Sequence, residues 1–403
     1  MQQDGLRLSS RVPLAGRMKE EAVMETFKIG RRTFLAAGSA AGVAACAPAA
    51  TSPSSVQPAG GGPKAEWEAE WERLAAAAKR EGKLSVFTLA GTGYRKALDQ
   101  FQEAFGIEAD HQSESSASIW VPKMERERDA GVYTFDVVIV PPNSALLRLK
   151  PKGAWDPVRP VIFRPDVLDD KAWRDGFDGQ FMDTDKHLAF SYMNDTNHNV
   201  SIDTRQVRPD EIKGVRDLLD PKWKGRLIIT DVRVGSTFLS LQAVRNQFPD
   251  GDEIIRKLLI EQQPTFLRDA RQRAEAIVRA KAPIVLGVTY PSLQEFREQG
   301  VADHVKFLDL PEMDYVVSWT VLLYNKAPHP NAAKLFINWL LTREGQITWN
   351  KPVPSNSART DVEPFNADAV ASPGKKYYFA SREEEYGKQE GTQTFLNGLA
   401  GVT

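Results

Sequence analysis

Apolar positions along this chain switch between the spacing of a helix and the spacing of a strand. Trp67, Trp71, Leu74 and Ala78 recur at i, i+4, i+7 and i+11 in a segment rich in helix formers, and Gly82 follows as a stop. LSVFTL (84–89) then reads as a short strand. A second helix carries Leu98, Phe101 and Phe105 and ends at Gly106. IEADHQ (107–112) is a weaker strand, and a helix with Trp120, Val121 and Met124 comes after it. FDVVIV (135–140) is nearly all apolar, as expected of a strand buried on both faces of a sheet. The alternation continues: strands are expected at 187–195, 226–231, 283–290, 304–310 and 315–325. The segment 332–346 is helical, burying Leu335, Phe336, Trp339 and Leu340. Strands interleaved with helices predict an α/β fold with right-handed crossovers. There is no internal repeat and no heptad run.

The first 65 residues follow a different logic. Residues 30–47 read GRRTFLAAGSAAGVAACA, with the pair Arg31 and Arg32 ahead of a stretch of small apolar residues. That is the layout of an export signal of the twin-arginine kind. Its apolar part is about half of the ~20 residues that span a bilayer. Val43-Ala44-Ala45-Cys46 resembles a bacterial lipobox, in which the thiol takes a lipid after cleavage. Cys46 is the one cysteine of the chain, which excludes an internal disulfide and a cysteine metal site. A start at Met18 or Met24 gives a more compact cationic region. Residues 47–65 are mostly Ala, Pro, Ser and Gly and read as a flexible tether. The expectation is a signal over 1–46, lipidation at Cys46, and a lipoprotein held at the periplasmic or extracellular face of a membrane.

Composition narrows the remaining choices. The chain of 403 residues has 42% hydrophobic and 26% charged residues, ordinary for a globular protein with ample core. Its 52 Lys and Arg against 53 Asp and Glu leave a net charge of -1, so bulk electrostatics give no support for nucleic-acid binding.

Three segments carry a family resemblance. Trp71 to Leu84 (W-x-x-L-x-x-x-A-K-x-E-G-K-L) resembles the opening of iron(III)-type bacterial solute-binding proteins. DLLDPKWKGRLIITD (217–231) is similar to a second-lobe segment of that family, and APHPNAAKLFINWLLTREGQ (327–346) to its C-terminal helix pair. Together they span about residues 67–358, in the family's order. The resemblance implies a two-lobed periplasmic-binding fold of type II. Lobe 1 would hold 66–193 and the return 315–403, lobe 2 would hold 194–314, and two crossover strands would form the hinge. It further implies lobe closure around a small molecule, delivery to an ABC permease and ATPase, a monomer, no cofactor and no catalysis.

Ligands of α/β sheets sit beyond the carboxyl ends of strands. Three turns combine that position with small polar residues before a helix: Thr92 and Gly93; Ser115, Ser116 and Ser118; Gly235, Ser236 and Thr237. Unpaired N–H groups and a partial positive charge at helix starts suit a carboxylate or a phosphorus-containing anion. Each Ser or Thr reads equally as a cap on its own helix. Tyr290, at the end of an expected strand, faces the cleft or the core with equal weight. Trp319, in the expected crossover strand, reads as a stacking surface or as core. Asn194 and Asn199 beside the first crossover, and Arg233, are further candidates. Ferric iron is the alternative ligand. The adjacent tyrosines that iron-binding relatives carry have a counterpart only in Tyr377-Tyr378, beyond the resembling region, while the strand expected before such a pair ends in Tyr290 alone. His111, His187, His198, His304 and His329 show no ligand-like spacing. An exported enzyme on the same fold is the rival from another class, although no nucleophile elbow, Walker loop or HExxH motif occurs. A receptor-coupled sensor is a third reading.

Overall fold

The computed structural model describes residues 65–399 apart from 92, 233 and 234. The export segment, Cys46, Thr92 and Arg233 therefore lie outside the described residues. Among the described residues no helix is long and apolar enough to cross a membrane.

Two sheets organise the chain. The first contains β1 (Lys83–Leu89), β2 (Glu108–Glu114), β3 (Val137–Val140), β4 (Trp155–Asp156), β5 (Phe190–Asn197), β11 (Tyr315–Tyr324) and β12 (Tyr378–Phe379). The second contains β6 (Val200–Asp203), β7 (Leu227–Ile229), β8 (Thr265–Phe266), β9 (Ile284–Leu286) and β10 (Val305–Phe307). Strand order is β12-β11-β3-β1-β2 in the first, with β4 and β5 also paired to β11, and β10-β6-β9-β7-β8 in the second. β1 runs parallel to β2 and β3, and β11 runs antiparallel to β3 and β5.

The two-sided burial expected of FDVVIV is real. All four residues of β3 are buried. Val137 and Ile139 join one core, Val138 and Val140 the other, because successive strand side chains point to opposite faces. The second sheet does the same, with Ile284 and Leu286 in one core and Val285 in the other. The first helix, Glu66–Glu81, ends at Gly82 in the left-handed region, φ 70°. Its Leu74 and Ala78 are buried, whereas Trp67 and Trp71 lie at the edge with the Arg164 guanidinium over both rings, 5.0 and 4.9 Å from the centroids. The expected 332–346 helix is two, Pro330–Leu340 and Arg343–Asn350, broken where the Thr342 side chain accepts from the Gly345 N–H.

The chain leaves the first sheet between β5 and β6 and returns between β10 and β11. Both crossings lie in one antiparallel ribbon, in which Asn194 pairs with Ser318, Asp195 with Val317 and Asn197 with Tyr315. His198 and Asp314, at its end, are 2.6 Å apart (Nδ1 to Oδ2) and tie the crossings together.

The C-terminal segment touches the cores of both sheets. The helix Glu383–Asn397 begins against the first sheet: Glu383 accepts from Lys150 Nζ at 2.7 Å and from the Thr184 N–H at 2.8 Å. It ends against the second, where Leu396 and Leu399 are buried in the core with Leu227 and Ile284. The physical reason is its apolar end: Phe395, Leu396 and Leu399 extend a core that the second sheet alone leaves open on that side.

Candidate functional site

A cavity of about 780 Å³ opens where the two crossings meet. Its wall on the ribbon side is set by strand parity. Asp195 and Asn197 on β5, opposite Val317 and Tyr315 on β11, project from one face into it. Asn194 and Ser318 project from the other face and are buried: Asn194 Oδ1 accepts from Ser191 Oγ at 2.8 Å and Ser318 Oγ at 2.7 Å, and its Nδ2 donates to Gln180 Oε1 at 2.9 Å. The second sheet contributes Ser236, near the start of the helix Gly235–Gln247, and Thr289 and Tyr290 at the start of the helix Tyr290–Glu298. Phe365, Asn366 and Asp368 close a third side.

Asn199 sits at the junction. It is 1% exposed, its Oδ1 accepts from Thr237 Oγ1 at 3.3 Å, and its carbonyl accepts from the Gly287 N–H at 2.9 Å. Asn199 is among the residues of the cavity wall, and its buried Nδ2 has no partner among the described residues. The loop before Tyr290 is braced by buried Arg273, whose Nε donates to the Gly287 carbonyl at 3.0 Å.

Charge in the cavity is unevenly compensated. Asp368 pairs with Arg297 at 3.1 Å, and that guanidinium lies over the Tyr290 ring, 4.7 Å from its centroid. Asp314 is pushed up to about 6 by burial, against the hydrogen bonds from His198, Asn199 N and Leu310 N. Burial lowers His198, but its bond to Asp314 outweighs that and holds the imidazole above its ordinary value. Asp195 is pushed up to about 6 by burial, and its hydrogen-bond donor is the Asn356 N–H at 3.3 Å. Among the described residues, the cavity wall holds no Lys or Arg.

These shifts give the first prediction. Asp195, Asp314 and His198 all bind protons more readily folded than unfolded, so their contribution to stability is present at low pH and fades as pH rises through about 6 and beyond. Asp203, drawn down to about 2 with help from Arg205, and Asp309, lowered by Lys375, act oppositely, losing stability as pH falls through the acid range. Burial opposes both of those shifts and is outweighed by the partners' hydrogen bonds. The urea midpoint is therefore expected to be higher near pH 5.5 than near pH 8, roughly the window between the two sets. Equal midpoints would contradict this.

Of the residues singled out from sequence, Ser236, Tyr290 and Asn199 lie at the cavity. Gly235 and Thr237 flank Ser236. Thr237 is fully buried and engages Asn199, so it acts behind the wall. Tyr290 does not end a strand: β9 stops at Leu286, and Tyr290 opens a helix with Pro291 behind it. Gly93, Ser115, Ser116, Ser118 and Trp319 do not line the cavity. Gly93 has φ 107°, and a Cβ there would meet the Pro352 carbonyl oxygen at 1.9 Å, so its need for glycine is one of packing and backbone. Ser116 Oγ and Ser118 Oγ are 2.8 Å apart, beside half-exposed or exposed Ser115. Trp319 shares the ribbon face of Tyr315 and Val317 but lies further along, against the first core, 6.3 Å from Tyr94 between ring centroids.

Sequence reasoning missed Asp195, Asn197, His198, Tyr315 and the 365–369 segment. The run of four polar residues, Asn194 to Asn197, marks the place, but the alternation that singles out Asp195 and Asn197 appears only in their partial burial, not in the sequence. His198, Asp309 and Asp314 bring ligand atoms within 4.8 Å of one another, a metal-like cluster. Asp309 is already engaged by Lys375 Nζ, Ser372 Oγ and Tyr377 OH at 2.8, 2.5 and 2.8 Å. The neighbouring Tyr378 hydroxyl instead accepts from Gln242 Nε2 at 2.7 Å. The adjacent tyrosines thus serve separate structural contacts.

The profile of the family described as "Bacterial extracellular solute-binding protein" matches residues 86–352, and the chain belongs to that family. Its fold is the two-lobed α/β fold of periplasmic binding proteins. FutA from Trichodesmium, solved with iron and citrate ligands, is similar at 15% identity over 79% of this chain and 99% of its own, TM-score 0.60. Ferric iron-binding protein A from Mannheimia haemolytica, in an open conformation, shares 14% over 80% and 99%, TM-score 0.61. The spermidine/putrescine transporter component PotD from Streptococcus pneumoniae shares 15% over 78% and 98%, TM-score 0.56. No curated protein matches the sequence.

Proposed function

We propose that this protein captures a small solute in the cavity between its lobes and delivers it to an ABC permease and ATPase. The observation that carries the reading is the position of the cavity. Its walls come from both crossings, from the second sheet's helix starts and from the returning C-terminal segment, so closing the lobes about the crossings changes the volume that holds the ligand. An anionic group on the ligand is supported by Ser236 at the start of the helix Gly235–Gln247 and by Asn199, whose Nδ2 has no partner among the described residues. Export by the twin-arginine route and a lipid on Cys46 would hold the lobes near the importer, and a Cys46→Ser form recovered equally in the membrane fraction would sink that part of the reading.

Thermal unfolding against phosphate, sugar phosphates, carboxylates, amino acids, polyamines, sugars and ferric citrate tests the function. A ligand at ~100 times its dissociation constant stabilises the folded state by ~2.7 kcal/mol. Ser236→Ala and Tyr290→Phe should each weaken the responding ligand by about tenfold, the worth of one hydrogen bond in a desolvated site. Binding that is saturable and leaves the solute chemically unchanged supports capture, and turnover of the solute contradicts it. A response that both substitutions leave intact would place the ligand elsewhere.

A further inference from the structure

The cavity makes two opposite demands on whatever fills it. Asp195 is a carboxylate in its wall with no ion pair among the described residues, taken far enough from water to hold its proton up to about 6. The other charged groups of the wall are matched: Asp368 by Arg297, His198 by Asp314. A buried charge without a counter-charge costs stability and is retained where something else supplies the partner. Asn199 asks for the reverse. It is a residue of the cavity wall, 1% exposed, and its Nδ2 donor has no partner among the described residues. Ser236 lies beside it at a helix start whose first N–H groups have no partner within the helix. Between these ends the wall is lined by Val288, Pro291, Phe307, Val317 and Pro354.

We propose that the ligand is a zwitterion, with an ammonium group seated on Asp195, a carboxylate at Asn199 and Ser236, and an aliphatic body between. The inference rests on the cavity being the solute site and adds the class of solute. Asp195 and Asn199 are four residue steps apart, at most about 13 Å along the chain. A few methylenes between the charged groups fit within that span.

The test is calorimetric titration of the full-length chain with 4-aminobutyrate, 5-aminovalerate and 6-aminohexanoate. The matching carboxylates without nitrogen and the matching alkylamines without carboxylate serve as comparisons. At least one ω-amino acid should bind, with its two comparison compounds weaker by about 30-fold or more, as expected when one partner of a desolvated charge pair is removed. Asp195→Asn should weaken the ω-amino acid by a similar factor. It should also leave the unliganded protein at least as stable near pH 8, which shows that lost binding is not lost folding. A carboxylate or amine that binds as tightly as the ω-amino acid, or an unchanged affinity in Asp195→Asn, overturns the zwitterion while leaving solute capture intact. No binding by any of these compounds also overturns it, and the broader thermal panel then decides separately whether the protein captures a solute.

Discussion

Trp349→Ala is expected to lower the unfolding free energy by about 3–5 kcal/mol, the cost of emptying a large buried aromatic site. Trp349 is fully buried in the first core. Its ring lies 5.8 Å from Phe336, 6.0 Å from Tyr94 and 6.0 Å from Tyr192 between centroids, so three elements lose a packing partner at once. Those neighbours sit on separate helices and on β5, and cannot collapse together into the space. Trp349→Phe should cost clearly less, since it keeps most of the ring's volume. Urea unfolding followed by circular dichroism measures both. Equal losses for the two variants would show that the ring's volume is not what holds this core.

Asn194→Leu is expected to cost about 3 kcal/mol or more, because buried polar partners are stranded when one member of a network is removed. Asn194 is the meeting point of Ser191, Ser318 and Gln180 on the dry face of the crossing ribbon. Leucine is close in volume, so packing alone predicts little change. The two readings therefore separate on one variant. A double cycle between Asn194→Ala and Ser318→Ala should show a coupling of about 0.5–3 kcal/mol, and additive effects would deny the network. The same ribbon turns Asp195 toward the cavity, so loss of Asn194 should also weaken ligand binding even though it touches no ligand.

Strands such as FDVVIV and YVVSWTVLLYN were legible because long apolar runs leave little choice of structure, and both fall within one or two residues of β3 and β11. The two-lobed fold came from the resemblance carried by 217–231 and 327–346, not from periodicity. The site was legible only in part. Ser236 and Tyr290, which line the cavity, stood out because small or aromatic polar residues occurred next to an expected strand end and a helix start. Asp195 was passed over because an Asp among the polar residues 194–197 looks the same whether it is solvated, paired or aimed into a cavity. Only its partner across the ribbon, Val317, reveals which. Gly93 and the serines at 115–118 have the same local signature as Gly235 and Ser236, yet the fold puts them outside the cavity. Local pattern fixes where a helix begins, and the tertiary arrangement decides what that beginning faces. The 359–403 segment gave no period to read, and the placement of its described part, 359–399, depends on scattered contacts such as Arg297 with Asp368 and Tyr378 with Gln242.

The central claim is that solute is held at the junction of the two crossings. Amide hydrogen exchange, with and without the ligand that gives the largest thermal shift, tests it most directly. The account predicts that exchange slows in 194–199, 287–291, 315–317 and 354–369 together, since these segments surround one volume. Protection confined to the turns at 91–94 and 115–118, with the crossings unchanged, would contradict it.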